Sequence, residues 1–196
     1  LSLHYGQRHD DEIVFAEALC KKYQIEHAVY DLGGFLKSLS SSALLTKSSP
    51  IADKHPDSPG LPASFVPNRN GLFLTVAASH AFGKKERPIH LVIGACETDY
   101  SGYPDCRDAY LKAKAVELSL GLDASVSIHA PLMWKSKAET FAMAEAYGEL
   151  DTLLTDTLSC YNGSRQKNDF GLGCGECPAC QLRQKGWAEF RSSKKK

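Results

Sequence analysis

The sequence carries no excess of charge: 23 Lys and Arg stand against 23 Asp and Glu, a formal net charge of zero. A chain without a net field has no long-range pull toward nucleic acid or an anionic membrane. It also lacks a long hydrophobic run, since the most apolar stretch, Leu72 to Phe82, is too short and interrupted to span a bilayer. No internal repeat is visible, which argues against a solenoid. Nothing resembling a signal peptide opens the chain; Leu1-Ser2-Leu3-His4-Tyr5 reads as a strand in progress and predicts a start inside a domain. The one block of like charge, Lys194-Lys195-Lys196, reads as a solvated tail. The absence of a basic, aromatic face also argues against a zinc-ribbon module that binds RNA.

What is present is more informative. With 43% hydrophobic residues, 196 residues can bury the core of one domain and carry a small appendage. The run Cys174-Gly175-Glu176-Cys177-Pro178-Ala179-Cys180 sets three thiols at C-x2-C-x2-C spacing, and Cys160 lies one loop upstream. Such a knuckle suits a closed, tetrahedral four-sulfur zinc site that holds structure and leaves no open position for chemistry. Redox chemistry and an iron–sulfur cluster are the alternatives. Disulfides fit poorly, because seven cysteines cannot all pair within the chain. Free thiols predict a reducing compartment, hence the cytoplasm.

Strand and helix signals alternate along the chain. Strands are predicted at 1–5, 26–32, 89–95 and 125–129, and helices from Asp10 as N-cap to Tyr23 and over 71–83 and 108–120. Ser136-Lys137-Ala138-Glu139 is a capping box that opens a helix running to Tyr147. Residues 38–67, rich in Ser and Pro, predict a lid or binding loop, or an insertion without fixed structure. The alternation predicts an α/β fold, a Rossmann-like parallel sheet with helices on both faces, over residues 1–155, followed by a zinc-binding segment over 156–196. Ligands of such sheets sit at the carboxyl ends of the strands.

Of four polar features, those after the first strand and after the strand at 89–95 fall where that rule places a site. Tyr5-Gly6-Gln7-Arg8-His9 follows the first strand and offers donors to a nucleotide or an anion, though a polar loop ahead of a helix reads the same way. Val66-Pro67-Asn68-Arg69-Asn70 precedes a helix, where backbone N–H groups and a guanidinium favour phosphate; simple capping by Asn70 is the other reading. Residues 94–107, from Gly94 to Arg107, hold Glu97, Asp99, Asp105, Tyr100 and Tyr103 directly after an apolar strand. They predict a pocket for a purine-like heterocycle, with rings to stack on it and carboxylates to accept from its N–H groups. Lys137 lies in the first turn of its helix, against the dipole, which suits either a bound anion or a solvated lysine. Cys20 reads as core filler; Cys96 and Cys106 lie beside the predicted pocket without a base to activate them.

Taken in order, Tyr-Gly-Gln-Arg-His at 5–9, Phe-Val-Pro-Asn-Arg-Asn at 65–70, Glu-Thr-Asp-Tyr-Ser-Gly-Tyr-Pro-Asp-Cys-Arg at 97–107, Pro-Leu-Met-Trp at 131–134, Lys-Ala-Glu-Thr at 137–140 and Ser-Cys-Tyr-Asn-Gly at 159–163 resemble the 7-cyano-7-deazaguanine synthase family of queuosine biosynthesis. The resemblance spans essentially the whole chain. It implies an ATP-pyrophosphatase (PP-loop) fold of the adenine nucleotide alpha-hydrolase type. The implied activity is ATP-dependent conversion of 7-carboxy-7-deazaguanine and ammonia to 7-cyano-7-deazaguanine (preQ0), with structural Zn2+ and with Mg2+ accompanying ATP. By position it implies catalytic roles for Lys137 and Asp105, nucleotide contacts from Arg69, Asn70 and Gly94, and a deazaguanine pocket shaped by Asp99, Ser101, Tyr103 and Arg107. Cys160, Cys174, Cys177 and Cys180 would hold the metal. The partners are small molecules, with no nucleic acid and no membrane, and a homodimer is compatible with them.

Two departures from the family pattern stand out. Its Ser-Gly-Gly-x-Asp-Ser phosphate loop is not found in residues 1–196 and is expected upstream of Leu1, on a central strand. A sheet without that strand would leave buried peptide groups unpaired, at roughly 1–3 kcal/mol each. A catalytically inactive, zinc-stabilised remnant is therefore the alternative to the enzyme. The Cys160–Cys174 loop is also longer than the family's, which chain entropy tolerates.

Overall fold

The computed structural model describes residues 1–39, 42–45, 54–55, 58–97 and 102–194. In chain order the elements are β1 (Ser2–His4), α1 (Asp11–Lys22), β2 (Val29–Asp31), α2 (Gly33–Leu39), β3 (Lys54–His55), β4 (Ser58–Pro62), α3 (Arg69–Gly83) and β5 (Ile89–Val92). A 3-10 turn at Pro104–Cys106 follows, then α4 (Asp108–Leu122), β6 (Val126–His129), α5 (Lys137–Ala146), α6 (Leu150–Thr155), β7 (Lys167–Asn168), β8 (Gly171–Leu172) and α7 (Pro178–Ser193). This is an α/β chain with parallel strand pairs. It divides into two compact units, Leu1–Val66 with Ser136–Lys196, and Pro67–Lys135. Among the described residues no helix is long and apolar enough to cross a membrane.

In the first unit β1 and β2 pair in parallel, from Ser2 opposite Val29 to His4 opposite Asp31, with α1 as the crossover that a parallel pair needs. Acidic Asp11 and Glu12 in the first turn of α1 and basic Lys21 and Lys22 in its last complement the helix dipole. Asp10 occupies the N-cap position as expected but makes no side-chain capping bond. Its carboxylate lies 3.2 Å from His4 Nε2 instead. Within the Ser- and Pro-rich segment β3 and β4 form an antiparallel pair, while residues 40–41, 46–53 and 56–57 of the expected lid lie outside the described residues.

The C-terminal part of this unit is organised by α5 against α7. Ser136 and Glu139 form the expected capping box: Glu139 N–H donates to Ser136 Oγ at 3.2 Å, and Ser136 N–H to Glu139 Oε2 at 2.8 Å. Buried Phe141 meets Trp187 edge-on at 5.1 Å between centroids and stacks near Phe190 at 5.9 Å. Aromatic contacts of this kind add about 0.5–1.5 kcal/mol beyond area burial. One turn away the helices touch at backbone distance, because a Cβ at Gly186 would overlap the Lys137 side chain. Residues 150–155, read from sequence only as an apolar connection, form α6. Around it, Tyr23 Oη donates to Glu149 at 2.5 Å and Lys22 pairs with Asp156 at 2.9 Å.

In the second unit β5 and β6 pair in parallel, Ile89 opposite Val126 through Val92 opposite His129. Ile89 and Leu91 point into a core of Leu74, Ala78, Leu111, Leu118 and Met133, which α3 and α4 supply, while His90 and Val92 are exposed. The strand is shorter than the predicted 89–95. Beyond Val92 the backbone continues with the bonds from Ile93 N–H to His129 and from Glu97 N–H to Met133, both at 2.9 Å. Helix α4 runs through Gly121 and ends at Asp123, a residue with φ 47 that takes the left-handed position usually given to glycine.

The Gly186 contact yields a test. Gly186→Ala is expected to cost about 1–3 kcal/mol of unfolding free energy, the usual penalty for overpacking. In denaturant titrations Gly34→Ala should cost nothing, since a Cβ there meets open space.

Candidate functional site

Four sulfurs converge in the first unit. Cys160, Cys174, Cys177 and Cys180 bring their Sγ atoms within 4.8 Å of one another, with Cys174–Cys180 at 3.9 Å and Cys177–Cys160 at 4.0 Å. A tetrahedron of 2.3 Å zinc–sulfur bonds has edges of about 3.8 Å, so the spacing and the soft donor set fit such an ion. The local chain explains the convergence. Gly175, at φ 78, turns the knuckle, and Cys177 caps α7 with Pro178 at the first helical position, placing Cys180 one turn on. Gly173 lacks a Cβ where one would sit 2.5 Å from Cys180 Sγ.

Burial disfavours ionisation at Cys177 and Cys180, pushing both thiols up. At Cys174 burial acts in the same direction, but the backbone N–H groups of Cys177 and Glu176, at 3.3 and 3.4 Å, outweigh it and bring the thiol down to about 6.

The Tyr5–His9 loop reaches this lobe. His9 Nε2 donates to the Cys160 carbonyl at 3.0 Å, tying the first polar cluster to the most distant cysteine segment. Gly6 holds φ 80, and Tyr5 N–H donates to Gln7 Oε1 at 2.7 Å. The buried Gln7 Nε2 meets no acceptor among the described residues.

The second unit joins two of the predicted clusters. Asn68, at φ 53, occupies the N-cap position of α3, so the helix starts at Arg69, two residues before the predicted start. Asn70 is a buried first-turn residue and not the cap. Its N–H donates to Asp105 Oδ2 at 2.9 Å, and its Nδ2 to Cys106 Sγ at 3.2 Å. Asp105 is only 5% exposed, and its carboxylate supplies the acceptor that α3's own sequence lacks. Burial first, and then the Asp105 charge, push the Cys106 thiol up to about 11; Arg69 and Asn70 oppose them without prevailing. A thiol held there stays protonated at neutral pH, so Cys106 is a hydrogen-bond acceptor and not a nucleophile. Tyr110, whose phenol burial and Asp105 raise, donates to Asn68 Oδ1 across Gly71, where any Cβ would collide with both.

The remaining candidates are more dispersed. Arg69 is half-buried with its guanidinium 5.7 Å over the Phe73 ring. Tyr103 is half-buried, while Gly94 and Arg107 are exposed. Lys137, the first residue of α5, belongs to the first unit. Asp99 and Ser101 lie outside the described residues. Sequence reasoning missed the Asn68–Gly71–Tyr110 contact and the structural glycines 173 and 186. A glycine inside a helical apolar pattern was the available signal for the last of these.

Comparison with known proteins agrees with the motif reading. The model of the family described as "Queuosine biosynthesis protein QueC" matches residues 1–191. The chain is 44% identical over 191 residues to a 7-cyano-7-deazaguanine synthase of Clostridium novyi, covering 97% of this chain and 82% of that protein. A protein of the same name from Wolinella succinogenes is 45% identical over 195 residues, covering 98% and 82%. One from Staphylococcus haemolyticus is 42% identical over 194 residues, covering 99% and 82%.

Two outcomes are expected from this geometry. Cys177→Ser should lower bound metal, measured by elemental analysis, and reduce the melting temperature; unchanged values would dissociate the four sulfurs from metal binding. Asp105→Ala should cost about 1–2 kcal/mol in thermal unfolding, as loss of a helix N-terminal acceptor does, whereas Asp105→Asn, which keeps an acceptor oxygen, should cost less.

Proposed function

The chain belongs to the queuosine biosynthesis protein QueC family, and from that premise we propose that it converts 7-carboxy-7-deazaguanine and ammonia to 7-cyano-7-deazaguanine at the expense of ATP. The observation that carries the reading is the family match over residues 1–191. The name shared by its curated relatives favours the enzyme over an inactive remnant.

A carboxylate is a poor electrophile. Transfer of AMP to its oxygen, with release of pyrophosphate, makes that oxygen part of a phosphate leaving group. Ammonia then displaces AMP to give the amide, and a second activation of the amide oxygen allows its elimination to the nitrile. Little of this needs covalent help from the protein, whose task is to orient the reactants and neutralise phosphate charge. Arg69 and Lys137 are assigned to phosphate, with Mg2+ as the companion of ATP. Lys137 suits the task because it stands in the first turn of α5, where an anion would offset its conflict with the helix dipole. Asn70 and Gly94 are assigned to the nucleotide, and Asp99, Ser101, Tyr103 and Arg107 to the deazaguanine.

The buried bond from Asp105 to Asn70 gives Asp105 a positioning role in this scheme, since it holds the helix turn from which Arg69 projects. Gln7, with a buried amide donor to spare, is a further candidate contact. Zinc is assigned to the four thiolates. Occupied by four protein ligands, it would hold the fold and leave no coordination position for substrate. Cytoplasmic location and homodimerisation complete the reading.

The test is turnover of 7-carboxy-7-deazaguanine with ATP and ammonia by the full-length protein, following AMP release and nitrile formation. Lys137→Ala keeps the Cβ that packs against Gly186, so it should fold while losing about 100-fold or more in kcat, the usual cost of one electrostatic contact to a transition state. Absence of nitrile with the unmutated protein would overturn the proposed reaction. Undiminished turnover in the variant would remove Lys137 from the site.

A further inference from the structure

One buried cation is left without an anionic partner by everything described so far. Arg183 lies on α7 three residues after Cys180, one helical turn from the sulfur cluster, and is only 6% exposed. Its guanidinium donates through Nε to the Phe170 carbonyl at 2.8 Å and through Nη1 to Ser159 Oγ at 3.1 Å. Nη2 donates to the Leu153 carbonyl at 2.6 Å and to Thr157 Oγ1 at 3.2 Å. All four acceptors are neutral oxygens, and among the described residues no carboxylate pairs with it. The surroundings are shaped to admit it. Gly171, at φ 108, lacks a Cβ where one would sit 2.7 Å from Arg183 Nη2.

Burying a lone charge is costly unless another charge compensates it. The missing negative charge is close by in the sulfurs. A divalent ion held by four thiolates leaves a net charge of minus two, and Arg183 follows Cys180 by three residues on α7. Its contacts also touch the segment bearing the fourth ligand, because Ser159 immediately precedes Cys160. Burial lowers the pKa of Arg183, and Cys180 opposes that fall without prevailing.

We propose that Arg183 is the counter-cation of the four-thiolate centre, stabilising the charge that its ligands retain when a metal is bound. Arg183 touches no sulfur, so it is a positioning and charge-balancing residue and not a ligand. The inference rests on the assignment of zinc to the four cysteines, and the two fail separately. No metal in the unmutated protein would defeat the zinc assignment, whereas metal binding indifferent to Arg183 would defeat only this one.

The experiment is zinc competition against a chromophoric chelator for the full chain and for Arg183→Met, Arg183→Lys and Ser159→Ala. Co2+ absorption spectra serve as a check on the ligand set. Arg183→Met should lose about 10–100-fold in zinc affinity, the range usual for groups just outside the ligands, with the four-thiolate Co2+ spectrum retained. Arg183→Lys, which keeps the charge but not the fork, should recover most of that loss. Ser159→Ala, which removes one bond and no charge, should stay within about threefold of the unmutated chain, as expected for a single neutral hydrogen bond. Wild-type affinity in Arg183→Met would overturn the proposal. So would an Arg183→Lys affinity as poor as that of Arg183→Met, because the bonds alone would then account for the effect. Should Arg183→Met not fold, Arg183→Lys decides: affinity near that of the unmutated chain supports the counter-cation, and a tenfold or greater loss overturns it.

Discussion

The convergence of Cys160 on the start of α7 is the constraint from which much of the first unit follows. Three of the four sulfurs come from one knuckle and the helix it opens, so local geometry nearly suffices for them. Cys160 comes from a separate segment and has to be brought in. His9 holds its carbonyl, and Arg183 holds the side chain of the residue before it. Once α7 is set in this way, Gly186 fixes how closely α5 approaches, and Phe141, Trp187 and Phe190 fill the space beside that contact. Lys137 is therefore placed by the same helix that carries Cys180 and is capped by Cys177.

A second theme is the use of single buried polar groups in place of regular structure. Asp105, in a 3-10 turn, supplies the acceptor for a helix N-terminus 35 residues earlier in the chain. Arg183 gathers four oxygens from α6, from residues 157 and 159 and from Phe170. Such bonds are individually modest, but removing one partner leaves the other buried and unsatisfied. That asymmetry makes them effective in fixing loops, and in both units they fix loops bearing residues assigned to chemistry or to metal.

Cys106 illustrates how environment decides what a residue type can do. A cysteine beside a proposed substrate pocket invites a nucleophilic reading. Burial and the neighbouring Asp105 charge both oppose the thiolate, and the sulfur serves as an acceptor for Asn70. Cys174 has the opposite fate, because two backbone N–H groups point at its sulfur. The same thiol group is thus pushed up in one unit and brought down in the other.

Much of this was legible in the residues alone. Alternating apolar segments announced parallel strands and their crossover helices, because periodicity is a local property of the chain. They suggest one Rossmann-like sheet, where the described residues form separate parallel pairs. The cysteine spacing announced a four-sulfur cluster, because a knuckle is only seven residues long. Ser136 and Glu139 announced their own capping box for the same reason. Only the tertiary structure decided that α3 begins at Arg69, that Asp105 serves it, that β3 and β4 pair within the Ser- and Pro-rich stretch, and that Arg183 lies buried. Each of these depends on groups far apart in sequence or on the burial of a charged side chain. The order of residues records no distance between such groups until the packed chain brings them together.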